Sequence, residues 1–297
     1  MATMNALSAT ILLTATACTS GKTVDSGNTL VDSGHTNAPA TSGDLTVLTY
    51  NVHGLPAAIT GDDTPARMVD IGPKIADWDI VGIQEDFDSD NHQTLMDGAQ
   101  PVDHRWFDDT LEGRFYGSGL SVLATPAIID HQHTHFSACH GITDASSDCL
   151  ASKGFQAVRL AVGETSIDVY NTHLEAGGGE EDNAARQIHV DEILASLSGW
   201  SAGQAVIFTG DFNLRPSDAA DGPLIAQLVN EAGLTQAGTA LDCPEADHID
   251  KILFRSSDEI ALTATSWANN ASDFQSESGT DLSDHPPLSA TIRWNRH

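Results

Sequence analysis

Short apolar runs separated by turns fill the chain from Asp44 onward. "LTVLTYNV" (45–52), "DIVGIQED" (79–86), "GLSVLAT" (119–125), "FQAVRLAV" (155–162), "SIDVYNTHL" (166–174) and "AVIFTGDFN" (205–213) are too short for typical helices and read as strands. "HIDKILF" (248–254), "IALTATSW" (260–267) and "PLSATIRW" (287–294) add three late strands. Apolar residues spaced three or four apart predict helices instead in three places. Over 65–78, Met68, Ile71 and Ile75 share a face and Pro73 marks a kink. Over 183–200, Ile188, Ile193, Leu194 and Leu197 face inward; 223–233 is stopped by Gly233. Many strands with few helices between them predict sheet packed on sheet, with helices outside.

Before Asp44 the pattern changes. Ala6 to Ala17 is an apolar stretch too short to span a bilayer as a helix. It fits the core of a leader, although no Lys or Arg precedes it. "TATAC" ending at Cys18 resembles a degenerate bacterial lipobox, so Cys18 is a candidate lipidation site; secretion without lipid is the equal alternative. Residues 19–43 are Ser, Thr, Gly, Asp and Asn with almost no apolar pattern, and are expected to form a tether. The domain expectation is a leader over 1–18, a tether over 19–43 and one catalytic domain over 44–297, exported from a bacterial cell and either secreted or lipid-anchored at the envelope.

The cysteines fit that setting. In an exported protein "ACHGITDASSDC" predicts a Cys139–Cys149 bridge closing a short loop, and Cys243 is expected to be an unpaired, buried residue. Charge narrows the function classes. Thirteen basic residues against 42 acidic give a formal net charge of −29. Such a field repels phosphate backbones and anionic lipid, and there is no basic run to track a nucleic acid. Tight nucleic-acid binding is therefore not expected. An acidic, lysine-poor surface suits a salty habitat equally well.

The strand ends carry the chemistry. Asn51, Glu85, Asn171 with His173, and Asp211 with Asn213 close successive strands; Asp250 lies inside a later one, and Asp284 and His285 precede the last. Asp211 and Asn213 are two residues apart, so extended chain would aim them the same way; an Asx turn is the plain alternative. Carboxylates with carboxamides suit Mg²⁺ or Ca²⁺ better than Zn²⁺. Imidazoles beside carboxylates suit proton transfer near neutral pH.

The series "TYNVHGLP", "GIQED", "YGSGLSVLAT", "NTHL", "GDFN", "HIDKILF" and "SDHPPL" resembles the endonuclease/exonuclease/phosphatase superfamily, the group containing DNase I, over about residues 44–294. The resemblance implies a four-layered α/β sandwich, two mainly antiparallel sheets packed face to face with helices outside. It also implies metal-dependent hydrolysis of a phosphate ester. By position it implies Glu85 as the main Mg²⁺ ligand, with Asn51 beside it and Asp284 near the metal; Mn²⁺ or Ca²⁺ are alternatives. Asp211 would orient the water and Asn213 hold the phosphate, with Asn171 as a further substrate contact. His285 would be the base, oriented by Asp250, and His173 would bond the phosphoryl oxygen or assist the leaving group.

Within the superfamily, residues 116–160, with "TPAII" and "DCLASKGFQAVRL", resemble bacterial neutral sphingomyelinases. That implies a choline phospholipid as substrate, phosphocholine as product, contact with a membrane surface, and a monomer. Trp267 and Phe274 are the aromatics expected to meet the lipid, the choline group included. A secreted nuclease ranks second and a phosphatase for a small soluble ester third; a non-catalytic binding protein on the same fold ranks last. Three features stand apart. His131, His133 and His135 share one face of an extended segment, as a solvated face or a transition-metal site. Arg186 and Gln187 either brace the His173 loop or lie exposed. "EAGGGEED" is a solvated acidic loop or a Ca²⁺ site.

Overall fold

The strands lack polar alternation because both faces of each sheet are covered. The computed structural model describes residues 17–18, 39–142, 148–244 and 246–297. The strands are β1 (Ala17–Cys18), β2 (Ser42–Asn51), β3 (Ile80–Gln84), β4 (Asp103–Phe107), β5 (Leu120–Ala124), β6 (Ile128–His135), β7 (Gly154–Val162), β8 (Thr165–His173), β9 (Ala205–Asp211), β10 (Thr235–Gln236), β11 (Asp250–Arg255), β12 (Ile260–Asn269) and β13 (Leu288–Arg296). The α-helices are α1 (Ala57–Thr60), α2 (Thr64–Ile75), α3 (Ser89–Ala99), α4 (Glu180–Gly199), α5 (Asp221–Ala232) and α6 (Ala237–Ala240).

One sheet runs β1-β12-β13-β2-β3-β5-β4 and the other β10-β11-β9-β8-β7-β6. Three pairs are parallel, β1 with β12, β2 with β3 and β8 with β9; the other named pairs are antiparallel. Three apolar cores separate four layers. The middle core joins the sheets through residues such as Val47, Ile80, Val169, Ile207 and Ile292. An outer core packs Tyr170, Phe208 and Leu253 against Val190, Ile193 and Leu228 of α4 and α5. The other outer core packs Tyr50, Val81 and Leu123 against Met68, Ile71 and Leu95 of α2 and α3. This is the expected sandwich, with helices on both outer faces.

Local chemistry explains the ends of the elements. Asp63 caps α2 by accepting from Ala66 N, and Pro73 is tolerated close to the helix end. Gly233 ends α5 in the left-handed conformation that glycine adopts freely. Where the sheets meet most closely, a Cβ on Gly82 would lie 2.0 Å from Thr209 Oγ1, so no larger residue fits.

Several expectations change. α3 and β4 lie in stretches that apolar spacing does not mark. Ile188 is exposed rather than inward; Ala185, His189 and Val190 join Ile193 and Leu197 on the buried face of α4. Trp267 and Phe274 are each only 4% exposed, so neither can meet a lipid. Trp267 lies in the middle core, and Phe274 sits edge-on to Tyr50 with ring centroids 5.1 Å apart.

Cys139 and Cys149 are bonded, as the spacing predicts. Cys243 is not free: it is bonded to Cys18, 225 residues away, where β1 lies along β12. A sulfur in that bond cannot also carry a lipid thioether, so lipidation of Cys18 is incompatible with this arrangement. The rest of the leader, 1–16, and the tether over 19–38 lie outside the described residues.

Candidate active site

The polar strand ends converge at one end of the sandwich. β2 ends at Asn51, β8 at His173 and β9 at Asp211, while Glu85 follows β3. The pairing of β9 with β11 sets Asp211 opposite Asp250, and that of β8 with β9 sets His173 opposite Asp211. The loop before β13 brings Asp284 and His285 to the same place. Ser283 Oγ donates to the Asn51 carbonyl at 2.7 Å and ties this loop to β2.

Three of the five non-glycine residues with positive φ among the described residues are here: His53 (49°), Glu85 (60°) and Asn213 (47°). Such conformations cost about 1–3 kcal/mol each, and they persist where surrounding contacts over-determine them. Around Glu85 the contacts are plain. Its carbonyl accepts the Gly54 N–H at 3.0 Å, and a Cβ on Gly54 would lie 2.3 Å from that oxygen. The next residue, Asp86, is buried; its carboxylate accepts from Ser121 Oγ and meets His92 Nδ1, both at 2.6 Å.

Asn51 Nδ2 donates to Glu85 Oε1 at 3.0 Å and Asp211 Oδ2 at 3.1 Å, while its Oδ1 accepts from His53 N. Asn51 thus stands beside Glu85 as expected, and in this arrangement it orients two carboxylates. Asp211 makes the Asx turn as well: its Oδ1 accepts the Asn213 N–H at 3.0 Å, while Phe212 turns back into an outer core. Asn213 donates its side-chain amide to the Leu174 carbonyl at 3.2 Å.

His285 Nδ1 lies 2.9 Å from Asp250 Oδ2 and 3.8 Å from Asp211 Oδ2. Burial alone would lower the pKa of His285, but its bond to Asp250 and the charges of Asp250, Asp211 and Asp284 outweigh it and hold the imidazole up at about 10. Burial also works against ionisation of Asp211. The imidazoles of His173 and His285, the Asn51 amide and the Lys153 ammonium win, and its pKa lies below the ordinary value. His173 is buried and faces Lys153, so its pKa falls to about 3 and it is neutral at working pH. One side-chain atom each from Asp211, Asp250 and His285 fall within 4.8 Å of one another, a grouping that suits a cation or a proton relay.

A cavity of about 380 Å³ opens beside this cluster. Its polar wall is His53, Glu85, Asp148, Lys153, His173 and Asp284; its apolar wall includes Leu55, Ile59, Phe87, Tyr116 and Leu150. A smaller pocket shares Asp284 with it and holds His285. Glu85 fits a cation. Burial raises its pKa against the pull of Asn51, Lys153 and His53, and its Oε2 faces His53 Nδ1 at 3.9 Å. Asp284 is the second carboxylate, with His53 Nδ1 at 3.2 Å holding its pKa down at about 2. Glu85 and Asp284 are hard oxygen donors of the kind that hold a divalent cation.

Lys153 is a site residue that pattern reading overlooks. It is only 7% exposed, paired with Asp148 at 2.5 Å, 2.9 Å from the Leu174 carbonyl and 3.1 Å from His173 Nε2. A buried ammonium beside a cavity is suited to a phosphoryl oxygen. "SKGF" marks the position, but only the fold brings Asp148 and His173 to it.

Asn171 is not at the site. It is fully buried between the sheets, donating to the Ile83 and Ser121 carbonyls and accepting from Gln84 Nε2. It braces the sheets and has no free group for substrate. Arg186 braces the His173 loop, donating to the carbonyls of Glu175, Ala176 and Gly177. Gln187, on the same helix, bonds Asp191 and Gln227. Of the three strand histidines, His133 meets Asp109 at 3.3 Å and stacks on Phe107, while His135 meets the Ser152 carbonyl at 2.7 Å and lies tilted against the same ring.

Residues 114–238 match the family model described as Endonuclease/Exonuclease/phosphatase family 2. A sphingomyelinase of Mycobacterium tuberculosis is 32% identical over 276 residues, covering 86% of this chain and 54% of that protein. One of Mycobacterium bovis matches with the same figures, so the chain spans about half the length of these curated relatives. Among solved structures, sphingomyelinase C from Streptomyces griseocarneus superposes with a TM-score of 0.64 at 22% identity, covering 84% of this chain and 99% of that one. A β-toxin variant from Staphylococcus aureus, solved with bound magnesium ions, does so with a TM-score of 0.64 at 14% identity, covering 84% and 99%. The structural matches establish the fold. With the family model and the curated relatives, they bear out the resemblance to the endonuclease/exonuclease/phosphatase superfamily and, within it, to neutral sphingomyelinases.

Proposed function

We propose that the chain is a divalent-cation-dependent phosphodiesterase that hydrolyses a choline phospholipid, sphingomyelin foremost, by direct attack of water. The observation that carries this reading is the cavity itself. It sets Glu85, Asp284, Lys153 and His173 on one wall and Leu55, Ile59, Phe87, Tyr116 and Leu150 on the other. A phosphodiester beside an apolar group matches that division. DNA, charged along its whole length, does not.

A divalent cation held by Glu85 and Asp284 would offset the charge on the phosphoryl oxygens. His285 keeps Nδ1 toward Asp250 and presents Nε2 to the attacking water; the carboxylates that hold its pKa up at about 10 would be offset by a cation bound beside them, and His285 would then be able to take the water's proton at Nε2. Asp211, between His285 and His173, orients that water; Lys153 and neutral His173 face the phosphoryl oxygens and the departing one. Phe87 and Tyr116, with ring centroids 5.8 Å apart, supply an aromatic face for a quaternary ammonium. They take the role expected of Trp267 and Phe274. Among the described residues no helix is long and apolar enough to cross a membrane. Bilayer contact in this reading is made by exposed residues at the cavity mouth.

The test is hydrolysis by purified protein of sphingomyelin, phosphatidylcholine, plasmid DNA and a generic phosphodiester. Phosphocholine release exceeding DNA nicking at equal enzyme is expected. Efficient nicking with no phosphocholine would support the nuclease reading instead.

A further inference from the structure

The residues of the site stand on a second polar layer, wholly buried between the sheets. Thr49 lies two residues before Asn51 on β2, Asn171 two before His173 on β8, and Thr209 two before Asp211 on β9. Residues two apart on a strand share a face, so each lies beneath a residue of the site. Gln84, the last residue of β3, immediately precedes Glu85. None of the four has exposed surface. Strand pairing aligns the layers, with Asn171 opposite Thr209 just as His173 is opposite Asp211. The four also bond to one another. Gln84 Nε2 donates to Asn171 Oδ1 at 2.6 Å and to Thr49 Oγ1 at 3.2 Å. Thr209 Oγ1 lies 3.0 Å from the Tyr170 carbonyl and 3.3 Å from Asn171 Oδ1. Asn171 Nδ2 donates to the Ile83 carbonyl at 2.7 Å and the Ser121 carbonyl at 3.0 Å. Ser121 in turn donates its hydroxyl to Asp86 at 2.6 Å, so the layer reaches both chain neighbours of Glu85.

We infer that Thr49, Gln84, Asn171 and Thr209 are positioning residues, which fix the offset between the sheets so that Asn51 and Glu85 from one meet His173 and Asp211 from the other. The inference rests on the hydrolase reading above and adds what holds the two halves of that site in register. β2 and β3 belong to one sheet, β8 and β9 to the other, so the site is split between them. Apolar contact joins the sheets elsewhere, through the middle core. Such contact is non-directional and tolerates a small slide of one sheet over the other. Hydrogen bonds fix distance and angle, and a buried network in which each member is satisfied specifies one arrangement. Every strand that brings a residue of this split site contributes one member of the layer.

The test compares wild type with four variants of the full chain by kcat and KM, on whichever of the four substrates above wild type cleaves, by Mn²⁺ affinity in equilibrium dialysis, and by melting temperature. Thr209→Val keeps the side chain's shape and removes its hydroxyl; Gln84→Met keeps its length and removes its amide. Each should lower kcat by about 10–100-fold with KM little changed, and Gln84→Met, beside Glu85, should also weaken Mn²⁺ binding by about tenfold or more. Thr209→Ser, which restores the hydroxyl, should recover most of the wild-type kcat. Leu45→Ala, in the middle core near the start of β2, should lower the melting temperature while leaving kcat of the folded enzyme unchanged. If Thr209→Val and Gln84→Met also lose only melting temperature, with kcat and Mn²⁺ affinity unchanged, the layer serves stability alone. That result would overturn the inference and leave the hydrolase reading standing. Absence of hydrolysis by wild type on all four substrates would overturn both.

Discussion

Asp211 shows how one side chain serves the fold and the chemistry together. Oδ1 makes the turn that ends β9, and Oδ2 faces Asn51, His173 and His285. The His285–Asp250 pair acts as a unit, because the bond at 2.9 Å fixes the tautomer. His285→Ala and Asp250→Asn should each lower kcat by about 10²–10⁴-fold. The double variant should be little worse than the worse single one; losses that multiply would contradict the pairing. Glu175 is a second informative residue. It is fully buried with Oε2 unpartnered, and burial, with Asp148 nearby, pushes its pKa up to about 7 from 4.5. The unfolded chain releases that proton first as pH rises. Stability from this group is therefore full below about pH 4.5 and lost by the time pH passes about 7, up to about 3 kcal/mol. Glu175→Gln should unfold at a higher temperature than wild type at pH 8, with the gap closing toward pH 4.5. An equal gap at both pH values would reject that account.

At the level of elements, the strands were legible because they are buried on both faces and so form unbroken apolar runs. α3 was not, because "SDNHQTLMDGA" buries only Leu95, Met96 and Ala99 among its apolar residues, beside Asn91 and His92. The strand-end motifs were legible one by one. Their convergence depends on register: Asp211 faces Asp250 because β9 and β11 are paired antiparallel, and no spacing reveals that. Asn171 misleads for the same reason: it sits two residues from His173, yet points between the sheets. Aromatic content misleads too, since Trp267 and Phe274 lie in a polar stretch but complete apolar cores. The exposed apolar side chains near the cavity mouth are Ile59 of α1, 55% exposed, and Phe115, 75% exposed, whose N–H bonds the carbonyl of cavity-lining Leu150. Ile59→Ser with Phe115→Ser should weaken hydrolysis of bilayer lipid several-fold more than of detergent-dispersed lipid. Equal losses on both would show that these residues do not meet the bilayer.

On the scale of the whole molecule, a net charge of −29 sets what approaches, and the sandwich sets where. The composition made the charge plain and the motif order made the layers plain. The Cys18–Cys243 bond, closing 225 residues, lies beyond any local pattern. The charge predicts that raising salt from 50 to 200 mM will not bring about the steep loss of DNA affinity typical of proteins with basic tracks, because binding is weak throughout; a steep salt slope would reveal a basic track. The central claim is that a cation held at Glu85 drives hydrolysis of a choline phosphodiester. Phosphocholine release from sphingomyelin by wild type and Glu85→Gln, with Mg²⁺ or Mn²⁺ and with chelator, tests it most directly. Wild type should lose release in chelator and regain it with cation, while Glu85→Gln, folded by circular dichroism, should fall at least about 10³-fold with cation present. Undiminished release by the chelated wild type and by Glu85→Gln alike would contradict it.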